Sequence, residues 1–216
     1  MLGVGTLPAR ATTVTLESLL TAGATFTNGD KVFSDFTYTA TGNMPDASAV
    51  NISTITDIFG NLGIRIQGGF SALVGTTADA AIGYDVTTTG GLISDVHLIG
   101  NPTVVGGGGV MTITEQVAPV LPGPPPTVLG NLNIFAIGGG AVQSSDVLVL
   151  STDYTTLQIT KDILAISTGG VPTASIIDQT FSQVPSVPEP TTLCGAGIAV
   201  FFGLACAWRR RRAKAA

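Results

Sequence analysis

The sequence predicts an all-β protein: a jelly-roll-like β-sandwich body followed by a single C-terminal transmembrane helix. Its 216 residues include 28 Gly and 12 Pro, and only 11% are charged, which favours strands and turns over helices. Roughly ten short apolar segments are separated by turn-forming residues, at the spacing typical of a sandwich. An uncharged run, Leu193–Trp208, then precedes four arginines. These observations divide the chain into residues 1–11, 12–184 and 185–216.

The first part, MLGVGTLPARA, contains a short apolar stretch and ends in Ala9-Arg10-Ala11, the small-x-small pattern of a signal-peptide cleavage site. It has no basic n-region. We therefore interpret residues 1–11 as a residual signal-peptide-like segment whose beginning lies upstream of Met1. The alternative is a simple N-terminal extension.

The first half of the body contains strand and turn signals. The leucines within 16–20 predict one helical turn, and Asn28-Gly29-Asp30 between two strand-like runs predicts a hairpin. Residues 49–55 predict a strand. In the next predicted strand, residues 62–67, Leu, Ile and Ile alternate with polar residues, so one face is buried.

The second half continues this pattern. Ile82, Tyr84 and Val86 share one predicted face, with Asp85 opposite. Further strands are predicted at 91–100, at 110–117 and in four segments between 131 and 184, and an exposed proline-rich loop is predicted at 119–126. The body contains no long amphipathic helix, which argues against a parallel α/β sheet.

Charge is distributed unevenly along the chain. Residues 12–190 contain all fourteen acidic residues but only three basic ones, Lys31, Arg65 and Lys161. Such a body offers no basic face to phosphates, so we expect no nucleic-acid partner. The two cysteines, Cys194 and Cys206, lie in the apolar run, and a cysteine-free body is compatible with an oxidising compartment.

The C-terminal run has the properties of a membrane helix. As a helix, residues 191–208 span about 27 Å, close to the hydrocarbon thickness of a bilayer. Trp208 is placed for the interface, and Arg209–Arg212 resist translocation. We therefore predict a transmembrane helix over 191–208 that contacts membrane lipid, with its C-terminus in the cytoplasm. The alternative is a buried helix of a globular domain.

The segment before this helix is rich in proline. Pro185, Pro188 and Pro190 hold it extended, and Glu189 lies between two of them. An extended strip just outside a membrane is accessible to a membrane-embedded processing enzyme. The alternative is a stiff stalk.

This order of elements resembles the PEP-CTERM sorting signal of Gram-negative bacteria. The matching parts are the motif, the helix and the arginine block, namely Val187, Pro188, Glu189, Pro190, Leu193–Trp208, Arg209, Arg210, Arg211 and Arg212. The resemblance implies recognition by an exosortase, a membrane cysteine transpeptidase-like enzyme. It also implies transient residence in the inner membrane, a periplasmic body, and a final location at the cell surface or outside the cell. Family members are often tied to extracellular polysaccharide and biofilm.

The body offers few candidates for catalysis. The single histidine, His97, is close in sequence to Ser94 and Asp95, but a Ser-His-Asp site requires spatial geometry that sequence adjacency does not supply. On a strand, Asp95 and His97 share a face while Ser94 points away. No G-x-S-x-G elbow is present, so we expect a structural or rim histidine and no catalytic residue.

Metal and sugar sites are also weakly indicated. The body lacks the His and Cys ligands that zinc requires, and nothing selects a pair among Glu17, Glu115 and Glu189 for glycoside chemistry. No metal site is predicted. Ca²⁺ is the one cofactor left open, because acidic residues are numerous in turn-like positions, although no EF-hand pattern occurs. Those residues are Asp30, Asp35, Asp46, Asp57, Asp79, Asp85 and Asp95.

The sequence as a whole therefore favours an exported, non-enzymatic surface or extracellular-matrix protein that an exosortase-type enzyme sorts. A Ca²⁺-supported carbohydrate-binding module is the first alternative. The body has no tryptophan, and only three tyrosines, to stack on sugars. A secreted hydrolase is the second alternative.

Overall fold

The computed structural model describes residues 12–120 and 127–185. The chain divides into two units, Met1–Val184 and Pro185–Ala216, and all described residues except Pro185 belong to the first. The elements are, in chain order, β1 Thr13–Thr15, α1 Leu16–Leu19, β2 Thr25–Asn28, β3 Lys31–Thr41, a 3₁₀ turn Ala47–Ala49, β4 Asn51–Thr56, β5 Leu62–Ser71, β6 Thr77–Thr88, β7 Leu92–Gly100, β8 Thr103–Val105, β9 Gly109–Pro119, β10 Gly130–Ile137, β11 Val142–Gln143, β12 Ser145–Tyr154, β13 Thr156–Ser167 and β14 Val171–Val184.

The strands form two sheets of seven. Sheet A has the order β1-β4-β5-β14-β7-β12. The short strand β8 also pairs with β14, on the same edge as β7: β8 pairs with the first residues of β14 and β7 with its C-terminal part. Sheet B has the order β11-β10-β9-β13-β6-β3-β2. Every pairing between described strands is antiparallel. The apolar faces of both sheets meet in one core, which confirms the predicted all-β sandwich. The finer description as a jelly roll stays a prediction.

Alternation along the strands decides which side chains enter this core. In β6, Ile82, Tyr84 and Val86 are at most 1% exposed, whereas Asp85 points outward and is half-buried. In β5, Ile64 and Ile66 are fully buried. Both predicted buried faces are therefore confirmed, as is the short helical turn, α1.

Aromatic rings connect the two layers of the core. Phe33 of β3 meets Tyr84 of β6 edge-on at 5.9 Å between ring centroids, and Phe36 stacks on Tyr84 at 5.4 Å. Phe33 also contacts Phe181 of β14 at 6.1 Å, across the space between the sheets. Such pairs contribute about 0.5–1.5 kcal/mol each beyond the area they bury, so they help to fix how the sheets face each other.

The predicted hairpin is present at the start of sheet B. Asn28 pairs with Lys31, which leaves Gly29 and Asp30 as a two-residue loop. Gly29 has φ of +60°, a left-handed conformation that a residue without Cβ adopts at little cost.

Two features differ from the sequence expectation. The described part contains fourteen strands rather than about ten. The additional strands include β1, β8 and β11, which have only two or three residues each. Pro119, expected to begin an exposed loop, is instead the buried last residue of β9, opposite Leu157 of β13. Proline is tolerated at the end of a strand because its lack of an N–H does not interrupt the hydrogen bonds of the ladder there.

The predicted segments 1–11 and 191–208 and most of the proline-rich loop, residues 121–126, lie outside the described residues. Within 12–120 and 127–185, no helix combines the length and the apolarity needed to cross a bilayer.

An ion pair joins the two central strands of sheet A on its outer face. Nε and Nη2 of Arg65 each donate to one carboxylate oxygen of Asp178 at 2.7 Å. The Arg65 side chain is 38% exposed, so we expect Arg65→Met to lower the free energy of unfolding by only about 0.5–1 kcal/mol. Urea denaturation at low and high salt measures this loss, which should shrink in high salt. A loss that salt leaves unchanged would contradict an electrostatic origin.

Candidate functional site

The residues of the predicted sorting signal lie outside the described part of the chain. These are Val187, Pro188, Glu189, Pro190 and the arginines 209–212. The last described residue, Pro185, directly follows β14 and is exposed.

The single histidine lies on the outer face of sheet A. Nε2 of His97 is 2.8 Å from Oδ1 of Asp95, which confirms that these two residues of β7 share a face. Ser182 of β14 approaches the same histidine nitrogen, with its Oγ at 3.3 Å. The backbone N–H of Ser182 also donates to Oδ1 of Asp95 at 3.1 Å. Ser94 forms no side-chain hydrogen bond to either residue.

This arrangement does not match a catalytic triad. In a triad, the aspartate binds Nδ1 and the serine binds Nε2, so the imidazole can accept a proton from the serine. Here Asp95 and Ser182 both contact Nε2 of His97. The cluster instead ties β7 to β14 through side-chain contacts.

Asp30 and Asp57, two of the aspartates considered as Ca²⁺ ligands, accept hydrogen bonds from other groups of the protein. Asp30 accepts hydrogen bonds from Lys31 and Thr88. Asp57 closes the turn between β4 and β5 by accepting hydrogen bonds from the backbone and the side chain of Asn61. Burial alone would raise the pKa of Asp57, but its hydrogen bonds, those from Asn61 above all, lower the pKa overall. In the two described ranges, no group of three or more His, Cys, Asp or Glu is disposed to hold a metal ion.

An open pocket of about 440 Å³ lies on sheet B, where β9, β10 and β13 run side by side. Gln116 lies directly opposite Asn131 on one neighbour and Thr160 on the other, so their side chains form a row across the outer face. The pocket is lined by Thr114, Glu115, Gln116, Asn131, Thr160 and Asp162. Apart from Glu115, these are exposed hydroxyl, carboxamide and carboxyl groups that can donate and accept hydrogen bonds.

The carboxyl group at the edge of this pocket is less acidic than an ordinary aspartate. Partial desolvation raises the pKa of the largely exposed Asp162, and the neighbouring carboxyl group of Asp79 raises it further. The pocket therefore carries less negative charge in mildly acidic solution than its composition suggests.

A second polar group of residues lies inside the sandwich. We call Lys161, Glu115 and Gln179 the core polar cluster. Lys161 of β13 is directly opposite Glu115 of β9 in sheet B, while Gln179 enters from β14 of sheet A. Nζ of Lys161 contacts Oε2 of Glu115 and Oε1 of Gln179. Nε2 of Gln179 donates to the backbone oxygen of His97 at 2.9 Å. All three side chains are at most 1% exposed.

Burial weakens the ionisation of both charged members. It raises the pKa of Glu115 and lowers the pKa of Lys161, in each case against the opposing attraction of the partner charge. Desolvation also raises the pKa of Tyr84 well above its usual range, with a further contribution from Glu115. Buried ion pairs commonly contribute little net stability because desolvation offsets the attraction, so this cluster calls for an explanation.

In the charge pattern of the sequence, Lys161 stands out only as one of three basic residues in the body. A signal was nevertheless present, because each cluster member occupies an inward position of a strand whose neighbouring inward positions are apolar. These neighbours are Ile159 and Ile163 beside Lys161, Ile113 and Val117 beside Glu115, and Ile177 and Phe181 beside Gln179.

Comparison with known families confirms the resemblance at the C-terminus. A family model described as the PEP-CTERM protein-sorting motif matches residues 186–212. The chain therefore carries this sorting motif, which implies sorting by an exosortase and a destination outside the cell. No curated protein matches the chain.

Solved structures resemble the body only distantly. The carbohydrate-binding module TmCBM61, solved with β-1,4-galactotriose, shares 12% identity and a TM-score of 0.35, over 67% of this chain and 88% of that one. A structure of carbohydrate-binding modules of the β-sandwich superfamily shares 16% identity and a TM-score of 0.31, over 67% and 56%. The enzymatically active domain of tailspike protein 4 of bacteriophage CBA120 shares 13% identity and a TM-score of 0.27, over 69% and 20%.

Proposed function

We propose that this chain, which carries a PEP-CTERM sorting motif, is a non-enzymatic bacterial protein that an exosortase delivers to the cell surface or extracellular matrix, where its body binds polysaccharide. The observation that carries the proposal is the sorting motif at residues 186–212, directly after a β-sandwich. The motif supports the destination, and the pocket on sheet B supports the binding role.

Sorting uses three parts of the tail in order. Glu189, held between Pro188 and Pro190, is the feature that the exosortase recognises. The helix over 191–208 anchors the precursor in the inner membrane during processing. Arg209–Arg212 stop translocation, because guanidinium groups are retained on the cytoplasmic side. The body is then periplasmic before it reaches the cell surface.

The chemistry of the pocket fits neutral, hydroxyl-rich ligands. Sugar hydroxyls both donate and accept hydrogen bonds, and Gln116, Asn131 and Thr160 offer both functions in one row across three strands. The body contains no tryptophan, so recognition depends on hydrogen bonding more than on ring stacking. The raised pKa of Asp162 reduces the repulsion of acidic polysaccharides in mildly acidic solution.

We expect the double variant Gln116→Met/Thr160→Val to weaken polysaccharide binding about tenfold or more, because each lost hydrogen bond contributes about 1 kcal/mol. Affinity electrophoresis of the full chain through gels containing the purified extracellular polysaccharide of the producing bacterium measures this change. Gels containing β-1,4-galactan and β-glucan test two defined glycans in parallel.

Thr152→Val is the matched control, because Thr152 is exposed on β12 of the other sheet and should leave migration unchanged. Runs with Ca²⁺ and with a chelator separate direct recognition from Ca²⁺-supported binding. Normal migration of the wild-type chain in all three gels, with or without Ca²⁺, would contradict the binding role and leave the sorting role standing.

A further inference from the structure

The core polar cluster places an amine, a carboxamide and a carboxyl group in mutual contact. Nζ of Lys161 touches both Oε2 of Glu115 and Oε1 of Gln179, in a part of the core where all three side chains are at most 1% exposed. From this juxtaposition we infer that Nζ of Lys161 forms an amide bond with Cδ of Gln179, which joins sheet B covalently to sheet A.

The carboxamide is held in position for this reaction. Oε1 of Gln179 contacts the amine, and Cδ, the carbon to which Oε1 is bonded, is therefore within reach of Nζ of Lys161. On the other side, Nε2 of Gln179 donates to the backbone oxygen of His97 at 2.9 Å, which fixes the rotation of the amide group. Reacting groups held together in this way gain a high effective concentration compared with the same groups in solution.

Glu115 is placed to move the protons. Its Oε2 contacts the attacking amine, and its Oε1 is buried without a hydrogen-bond partner in the described part of the chain. Burial lowers the pKa of Lys161 and raises that of Glu115, so transfer of a proton from the ammonium to the carboxylate is easier than in water. That transfer yields a neutral amine, which is the nucleophilic form, and a carboxylic acid, which can act as the general acid.

The reaction balances within these three residues. The lone pair of Nζ attacks Cδ of Gln179, and the C=O electron pair moves onto Oε1 to give a tetrahedral intermediate. The carboxyl group of Glu115 donates its proton to Nε2 and accepts one from Nζ. Collapse of the intermediate restores the C=O bond and expels Nε2 as ammonia. One C–N bond forms and one breaks, with no oxidant or reductant.

The product removes the energetic problem of the cluster. A buried ammonium facing a buried carboxylate is replaced by a neutral secondary amide and a neutral acid, which are less costly to bury. The body has no cysteine for a disulfide, because Cys194 and Cys206 both lie beyond it. The amide supplies a covalent connection between β13 and β14 by other means.

The second buried lysine provides an internal comparison. Lys31 is 1% exposed and contacts the carboxylate of Asp30 at 3.1 Å, but it makes no hydrogen bond to a carboxamide. Burial and a carboxylate partner are thus shared by both lysines, and the acyl group of Gln179 is specific to Lys161. We expect no cross-link at Lys31.

Peptide mapping of the full chain tests the bond. An endoproteinase that cleaves before aspartate separates Asp153–Lys161 from the peptide that begins at Asp178, because Asp162 and Asp178 both provide cleavage sites. We expect the free Asp153–Lys161 peptide to be absent from the folded wild-type digest. In its place, mass spectrometry should detect a branched species whose mass is lower than the sum of the two peptides by one ammonia, about 17 Da.

Variants assign the roles. Glu115→Gln keeps the shape of the side chain but cannot shuttle protons, so the free Asp153–Lys161 peptide should reappear. Lys31→Met should retain the branched species. Recovery of the free peptide from the wild-type chain would overturn the inference, and this measurement does not depend on the folding of any variant. Loss of water rather than ammonia, with Lys161 joined to Glu115, would overturn the assignment of Gln179 as the acyl donor.

Discussion

Glu115→Leu is expected to lower the free energy of unfolding by about 3–5 kcal/mol, because it leaves the amino group of Lys161 in the core without its carboxylate partner. Both side chains are at most 1% exposed, so water cannot replace the missing partner. Loss of the proposed amide acts in the same direction. Urea denaturation of the purified chain, followed by far-UV circular dichroism, measures the change.

The double variant Glu115→Leu/Lys161→Met is the decisive control. It removes both charges and fills the space with apolar groups of similar length, so it should be more stable than Glu115→Leu alone. If the double variant is no more stable than the single one, the unpaired lysine is not the source of the loss.

The stability of Glu115→Leu should also depend on pH. Burial lowers the pKa of Lys161 in the folded protein, so between that value and the ordinary lysine value the unfolded chain binds more protons than the folded chain. Stability therefore rises with pH in this window. Measurements below the tyrosine range avoid ionisation of Tyr84 in the unfolded chain, which acts in the opposite direction. A flat profile would contradict a buried, unpaired amine.

Removal of either end of the sorting signal is expected to abolish normal processing. Glu189→Ala removes the proposed recognition feature, and replacement of all four residues of Arg209–Arg212 by alanine removes the translocation stop. We expect unprocessed Glu189→Ala precursor to remain in the membrane fraction. In the producing bacterium, immunoblots of membrane, surface and medium fractions measure the distribution of each variant.

Two matched changes test specificity. Glu17→Ala alters an exposed glutamate of α1 and should be sorted normally. Replacement of the four arginines by lysines keeps the positive charge and should preserve sorting. Unchanged processing and location in both Glu189→Ala and the alanine replacement would defeat the proposed sorting roles.

Period-two alternation was sufficient to predict the long strands and the sandwich. In β5 and β6 the alternating apolar residues are the ones that enter the core, and Asn28-Gly29-Asp30 was a sufficient signal for the first hairpin. The shortest strands could not be predicted in this way, because two or three residues do not establish a period. β1, β8 and β11 are strands because β4, β14 and β10 offer them backbone partners.

Contacts between residues that are far apart in the sequence could not be predicted from one sequence. Ser182 meets His97 across 85 positions, and Lys161 meets Glu115 across 46. Charge counting showed Lys161 only as one of the three basic residues of the body. Its position between inward-facing apolar residues indicated that it is buried. Lysine is rarely buried without a charged partner, however, and the sequence did not reveal that Glu115 is the partner.

β14 is the last strand of the body, yet it lies inside sheet A, between β5 on one side and β7 and β8 on the other. The N-terminal strands leave the ribosome first. The edges of β5 and β7 that pair with β14 therefore remain unpaired until β14 has been synthesised. The sheet can close only when nearly the entire polypeptide is available. This order of synthesis delays completion of sheet A until β14 has left the ribosome.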